Sequence, residues 1–262
     1  MNIEKWHKKL FLNDMRRAVE EFGMIPPGSR ILIGISGGKD SITMGLGLEM
    51  LKRWLPTHFE TLWVHLDYGA GGNPEPLKRW LAEQGVDLQV VPTDIWPAVE
   101  GRQGGSPCYM CAKLRRGVLA RLMEAHGCNS IALGHHRDDA LATLWMNLTH
   151  NGRFRTFQPV TVEAETRRTT IRPLIYCHES HIRQARDRFG FPQAPWQCPH
   201  EGATERSRTA ALRERLREEL PELDDQLMLA LKHLNGDDRW QSAKSHNENA
   251  AESPVHPDEV SI

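Results

Sequence analysis

The sequence has no apolar run approaching the length of a membrane-spanning helix, so an integral helical membrane protein is excluded. Its first residues, Met1-Asn2-Ile3-Glu4-Lys5, carry none of the apolar core of a signal peptide. A cytoplasmic protein with no membrane partner is therefore expected. Five cysteines are few for 262 residues. In a reducing compartment they serve as metal ligands, catalytic groups or core residues more readily than as disulfides. Lysine is missing from residues 153–217, which hold thirteen Arg against seven Asp and Glu, a balance of +6. Residues 218–262 are biased the other way, with three basic and eleven acidic residues, or −8, and the first 152 residues carry +1. The net charge of −1 thus conceals a basic middle suited to a polyanion. The competing account is a solvated surface in which each Arg pairs with a neighbouring acid. No internal repeat is present.

What stands out is Ser36-Gly37-Gly38-Lys39-Asp40-Ser41. An apolar run, Arg30 to Ile35, precedes it and reads as a buried strand. Ile42 to Trp54 follows, with Met44, Leu48, Leu51 and Leu55 at helical spacing. A glycine turn between strand and helix lets the backbone approach a ligand closely, and the first helical amides favour an anion there. Lys39 adds a mobile positive charge, and Ser36 and Ser41 add hydroxyls, which completes a phosphate cradle. It is not a Walker A loop: only three residues separate Gly34 from Gly38, and Asp40, not Ser or Thr, follows Lys39. The string resembles the pyrophosphate-binding loop (PP-loop) of the N-type ATP pyrophosphatases, which split ATP into pyrophosphate and an adenylated substrate.

Residues 4–22 are expected to form an amphipathic helix with Phe11, Met15, Ala18, Val19 and Phe22 on one face. Further strands are expected at 61–66, 88–91, 130–133 and 171–174, and helices at 77–84, from Cys108 to about His126, after Asp139, at 181–189 and at 209–219. Alternating strands and helices predict an α/β fold, a parallel sheet with helices on both faces. Ligands in such sheets sit beyond the carboxyl ends of the strands, where the glycine loop, Asp67 and Gly134 to Asp139 all fall. The expected organisation is an N-terminal helix over 1–28, one ATP-binding domain with cluster-binding loops over 29–217, and an acidic C-terminal helix with a disordered tail over 218–262.

Cys108-Tyr109-Met110-Cys111 admits three readings: a redox pair, a zinc site completed by Cys198 and His200, or a [4Fe–4S] cluster on Cys108, Cys111 and Cys198. Cys128, between Gly127 and Asn129, and Cys177, after an apolar segment, read as small core residues. Of the pair His135-His136 one is expected to pack. Asp139, at a strand's carboxyl end, is the better candidate to hold Mg²⁺ or orient a nucleotide.

Together with the PP-loop, the run Cys108-x-x-Cys111-x-x-Leu114-Arg115-Arg116-Gly117, the string Ala132 to Asp139, and Ile171-Arg172-Pro173-Leu174 before Tyr176-Cys177 resemble the tRNA 2-thiocytidine synthetase family over about residues 8–217. That resemblance implies an adenine nucleotide alpha hydrolase-like fold and an ATP- and Mg²⁺-dependent sulfur transferase with a three-cysteine [4Fe–4S] cluster. Its substrate would be a cytidine of tRNA. Nucleotide contacts are implied at Ser36 to Ser41, Leu66, Lys113 and Gly134, and catalytic roles at Lys39, Asp40, Arg115 and Asp139. The implied partners are tRNA and a sulfur donor, either sulfide or a cysteine desulfurase, with a homodimer left open. The second Cys-x-x-Cys usual in the family is reduced here to Cys198, preceded by Trp196-Gln197. Two alternatives keep some of these features: a PP-loop sulfur transferase or ligase acting on a small metabolite, and a non-catalytic iron–sulfur or zinc protein that senses nucleotide or redox state.

Overall fold

The computed structural model describes residues 2–101, 106–192 and 205–233. The expected tail after Gly236 and the segment around Cys198 lie outside them. The N-terminal helix consists of α1 (Lys5–His7), a π-helical stretch (Lys8–Leu12) and α2 (Asn13–Glu21). Phe11, Met15, Ala18 and Val19 are buried as the periodicity predicts. The wide π turn also brings Leu10 and Leu12 into the core beside Phe11, which the regular spacing does not foresee.

The strands are β1 (Ser29–Ile35), β2 (Phe59–Asp67), β3 (Leu88–Pro92), β4 (Ser130–Ala132), β5 (Val160–Val162) and β6 (Thr169–Ile171). They form one sheet of order β3-β2-β1-β4-β6-β5. Every neighbouring pair is parallel except β5 with β6. Ile31 lies opposite Thr61 of β2 on one side and Ser130 of β4 on the other, which makes β1 central. Strand order reverses at β1, so its carboxyl end is the switch point where doubly wound sheets bind ligands. The strand expected over 171–174 ends at Ile171 instead, because Pro173 has no N–H to continue the ladder. The antiparallel edge strand β5 is short and exposed, and left no alternating signal in the sequence.

The helices that follow are α3 (Lys39–Leu51), α4 (Glu75–Glu83), α5 (Ile95–Glu100), α6 (Pro107–Ala125), α7 (Arg137–Asn151), α8 (Glu179–Phe189), α9 (Glu205–Glu219) and α10 (Leu223–His233). Helix α3 is buried on nearly every side from Ser41 to Leu51. Two glycines permit this: a Cβ at Gly45 would collide with the Trp63 indole of β2, and one at Gly47 with Met15 of α2. Helix α3 is thus wedged between the sheet and the N-terminal helix. On the other sheet face, Leu32, Val64 and Leu66 pack with Ile95 and Val99 of α5 and with Leu119 and Met123 of α6. Among the described residues no helix is long and apolar enough to cross a membrane.

The chain divides into two compact units, Met1–Ala140 with Gln158–Glu201, and Leu141–Phe157 with Gly202–Ile262. The first contains the sheet. In the second, a buried ion pair clasps α9 to α10: Arg213 donates to both carboxylate oxygens of Asp224, at 2.8 and 2.6 Å. Arg217 Nε adds a third contact at 3.2 Å.

Gly45→Ala is expected to cost about 1–3 kcal/mol by overpacking against Trp63. Urea denaturation of the two proteins measures it, and a neutral effect would show that α3 can shift away from β2.

Candidate active site

The glycine loop joins β1 to α3 at the switch point. Gly37 takes φ 85°, a left-handed conformation that side chains disfavour. Gly38 is the N-cap of α3, and no side chain caps the helix there. The first amides are therefore left to a ligand, and the helix dipole makes an anion the favoured one. The serines brace this shape from within. Ser41 Oγ accepts from Ser36 N at 3.1 Å and donates to Gly38 O at 3.1 Å, and Gly38 N donates to Ser36 Oγ at 3.3 Å. Both hydroxyls thus take part in holding the turn. Gly134, just past β4, belongs to the same construction: a Cβ there would lie 3.0 Å from Asp40 C and Ser41 N. Only glycine lets the β4 loop approach the start of α3 this closely.

A compact group of charges surrounds the cradle. Lys39 Nζ lies 3.1 Å from Asp40 Oδ2 and 3.1 Å from Glu179 Oε1, the latter on the first turn of α8. Glu179 also receives Arg183 Nη2 at 2.9 Å, and its backbone N donates to Asp138 Oδ2 at 2.8 Å. His136 is 5% exposed. Its ring lies 3.6 Å from Asp40, 3.8 Å from Asp138 and 3.5 Å from Asp139. Asp139 Oδ2 accepts from His136 N at 3.0 Å and so holds the start of α7. Arg137 reaches across to the His178 ring at 2.9 Å. One histidine of the pair does pack, as expected, but it packs among carboxylates. Glu179 and His136 are the members that sequence reasoning passed over. An acid in the first turn of a helix reads as a partner of the helix dipole, and nothing local ties it to a lysine 140 positions earlier.

These contacts set the electrostatics. Burial would lower the Lys39 pKa, but Asp40 and Glu179 outweigh it and the value is raised. Burial likewise raises the carboxyl pKa of Asp40, and Lys39 and His136 offset only part of this while Asp139 adds repulsion. Glu179 goes the other way: its burial is outweighed by Arg183 and Lys39, and its pKa is lowered.

The cysteine pair lies on the first turn of α6, whose N-cap Ser106 accepts from Tyr109 N. Because α6 runs back toward the start of β4, its N-terminus lies at the carboxyl edge of the sheet, as does the glycine loop. Cys108 is exposed and Cys111 half-buried, and neither is in a disulfide. Spacings of three and four residues place Cys108, Cys111 and Arg115 on one stripe of the helix. Lys113 falls outside that stripe and is exposed. The Leu66 side chain is in the apolar cluster, which leaves its backbone at the sheet edge. Cys177 is fully buried, with Sγ 3.6 Å from Phe11 O, and burial raises its thiol pKa well above the usual value. Cys128 is buried at the opposite edge, and burial raises its pKa too. Both are core residues, as expected, while Cys198 lies outside the described residues.

Asp40 yields a test of these electrostatics. A raised carboxyl pKa means that the folded chain holds the proton more tightly than the unfolded chain, so ionising Asp40 costs stability once pH climbs past its folded value. Asp40→Asn is expected to melt above wild type at neutral pH. The advantage should shrink as pH falls from the raised folded value toward about 4 and vanish below it, where the aspartate is protonated in both states. Melting temperature against pH for both proteins measures this, and a variant that melts below wild type at neutral pH would contradict it.

The chain matches the PP-loop domain family over residues 10–221. It is 36% identical over 220 residues to a tRNA-cytidine(32) 2-sulfurtransferase of Aeromonas salmonicida (strain A449), covering 83% of this chain and 72% of that one. A relative of the same name from Vibrio cholerae serotype O1 (strain M66-2) is 38% identical over 197 residues, 74% of this chain and 63% of its own length. The fold is similar to that of the U34-tRNA thiolase NcsA from Methanococcus maripaludis, solved with its [4Fe–4S] cluster. There the TM-score is 0.66 at 18% identity, over 86% of this chain and 79% of that one, a likeness of fold. By the length and identity of these matches, the chain belongs to the PP-loop domain family and, within it, to the tRNA-cytidine(32) 2-sulfurtransferases.

Proposed function

We propose that this protein is an ATP-dependent sulfur transferase that adenylates a cytidine of tRNA and replaces its 2-oxygen by sulfur. The observation that carries this reading is the glycine-capped N-terminus of α3 at the switch point, with the Lys39 ammonium at its mouth. In the first step the 2-oxygen attacks the α-phosphorus of ATP; an O–P bond forms, and the bond to pyrophosphate breaks. The α3 amides and Lys39 stabilise the charge that collects on the departing pyrophosphate. In the second step a sulfur nucleophile attacks C2, and AMP leaves with the original oxygen. Sulfide is the proposed donor; persulfide sulfur from a cysteine desulfurase would serve once a thiol reductant has brought it to the same oxidation level.

Asp40 and Asp139 are assigned to Mg²⁺, which usually needs only one or two carboxylates when phosphates and waters complete its shell. Asp40 Oδ1 fits: it is buried and makes no hydrogen bond among the described residues. Among those residues no group of three or more His, Cys, Asp or Glu stands ready to hold a metal. The ion is assigned to enter with the nucleotide, whose phosphates complete its shell. Leu66 through its backbone, Lys113 and Gly134 are assigned to the nucleotide, and Arg115 to catalysis. Cys108 and Cys111, one turn apart at a helix N-terminus, fit two thiolate ligands, and with Cys198 they are assigned to a [4Fe–4S] cluster. Bound by three protein thiolates, such a cluster supplies an iron open to a sulfur ligand. The arginine-rich middle supports a polyanionic substrate; within it Arg167 is exposed, whereas Arg168 lies 3.1 Å from Glu163.

The test is anaerobic incubation with ATP, Mg²⁺, sulfide and tRNA. Pyrophosphate, AMP and 2-thiocytidine are the expected products. Lys39→Ala should slow pyrophosphate release by about a hundredfold or more and leave iron content unchanged. ADP and inorganic phosphate as products would rule out adenylation.

Iron content separates the cysteines. Cys108→Ala, Cys111→Ala and Cys198→Ala should each lose most of the iron of anaerobically purified protein, whereas Cys128→Ala and Cys177→Ala should retain it. Stoichiometric zinc without iron would overturn the cluster assignment.

A further inference from the structure

The Lys39 ammonium has two carboxylate neighbours, and they differ in kind. Asp40 is next to it in the chain, on the same first turn of α3. Glu179 comes from α8, and its position is fixed independently: its backbone N is held by Asp138 Oδ2 at 2.8 Å, and its carboxylate receives Arg183 Nε at 3.2 Å and Nη2 at 2.9 Å. Glu179 Oε1 therefore serves two cations at once, Lys39 at 3.1 Å from inside the site and Arg183 at 2.9 Å from its rim. The Lys39 side chain is 20% exposed and that of Arg183 61%.

We infer that Glu179 is a positioning residue for Lys39, holding its ammonium at the mouth of the loop until the phosphates of ATP replace the carboxylate. This rests on the loop being the nucleotide site proposed above. The reasoning is one of competing anions. An ammonium on a flexible four-carbon stem has many rotamers, and a fixed carboxylate restricts them before substrate arrives. The same carboxylate repels the incoming triphosphate, so the device sets Lys39 in place at the expense of nucleotide affinity. Arg183 weakens the hold by drawing on the same oxygen, and keeps Glu179 paired once Lys39 has turned to phosphate. The three side chains thus act in series, with Arg183 acting on Lys39 only through Glu179.

That order gives variants of opposite sign. Glu179→Gln keeps the shape and removes the charge. It should bind ATP about two- to fivefold more tightly, the range expected for a partly exposed ion pair, and release pyrophosphate more slowly at saturation because Lys39 is less well held. Arg183→Ala leaves Glu179 to Lys39 alone and should bind ATP more weakly by a similar factor. The double variant should match Glu179→Gln, since Arg183 has nothing left to act on. A residue that merely stabilises the fold would weaken binding in all three. The measurements are equilibrium binding of Mg·ATP and saturating rates of pyrophosphate release, with Lys39→Ala alongside. Should Glu179→Gln not fold, Arg183→Ala, altered only at the surface, still decides by the direction of its affinity change. Glu179→Gln binding ATP no more tightly, or Arg183→Ala binding no more weakly, overturns the inference. If Lys39→Ala binds ATP and releases pyrophosphate like wild type, the loop is not the nucleotide site and the proposed function falls with it.

Discussion

Helix α3 has no solvent face to speak of, and the placement of the site follows from that. A helix clamped between Trp63 on the sheet and Met15 on the N-terminal helix cannot rotate or slide without breaking close-packed contacts. Its first amides are thereby fixed at the carboxyl end of the central strand. The glycines that allow the clamp, Gly45 and Gly47, would be unfavourable in an exposed helix. Here they exchange intrinsic propensity for close approach. Gly134 extends the same exchange to the loop, where backbone lies against backbone, and Gly37 supplies its left-handed turn.

Around this rigid end the protein gathers acids and cations from three helices. Asp40, Asp138, Asp139 and Glu179 converge on Lys39 and His136. Each contact is individually weak, yet several of them join the starts of α3, α7 and α8, so the binding residues also fasten those elements together.

Much of this was legible in the sequence because it is local. A strand, a glycine turn and a helix in succession place the cradle, and a Cys-x-x-Cys pair with an arginine four residues on falls on one stripe of whichever helix follows. The parallel sheet followed from the alternation of apolar runs with helical spacing. What escaped notice was of two kinds. Some of it has no periodic signal: the π turn that adds Leu10 and Leu12 to the core, and the short exposed strand β5. The rest depends on partners brought together by topology. Glu179 looks like any acid opening a helix until α8 is set beside α3. His136 looks like half of a metal pair until the ends of β1 and β4 are adjacent.

The separation of Lys39 from Glu179 by 140 positions also bears on how the protein is made. The glycine loop leaves the ribosome well before α8 does. The strands β4 and β6, and the helix that supplies the second carboxylate, follow only after most of the domain has been synthesised. At ordinary elongation speeds of about 5–20 residues per second, that interval lasts on the order of ten to thirty seconds. Until it ends the lysine lacks its second carboxylate, and a parallel sheet of this order cannot close without its later strands. A nascent chain therefore carries the phosphate motif long before it can assemble the pocket that uses it. Nucleotide binding marks the completion of the fold rather than its beginning.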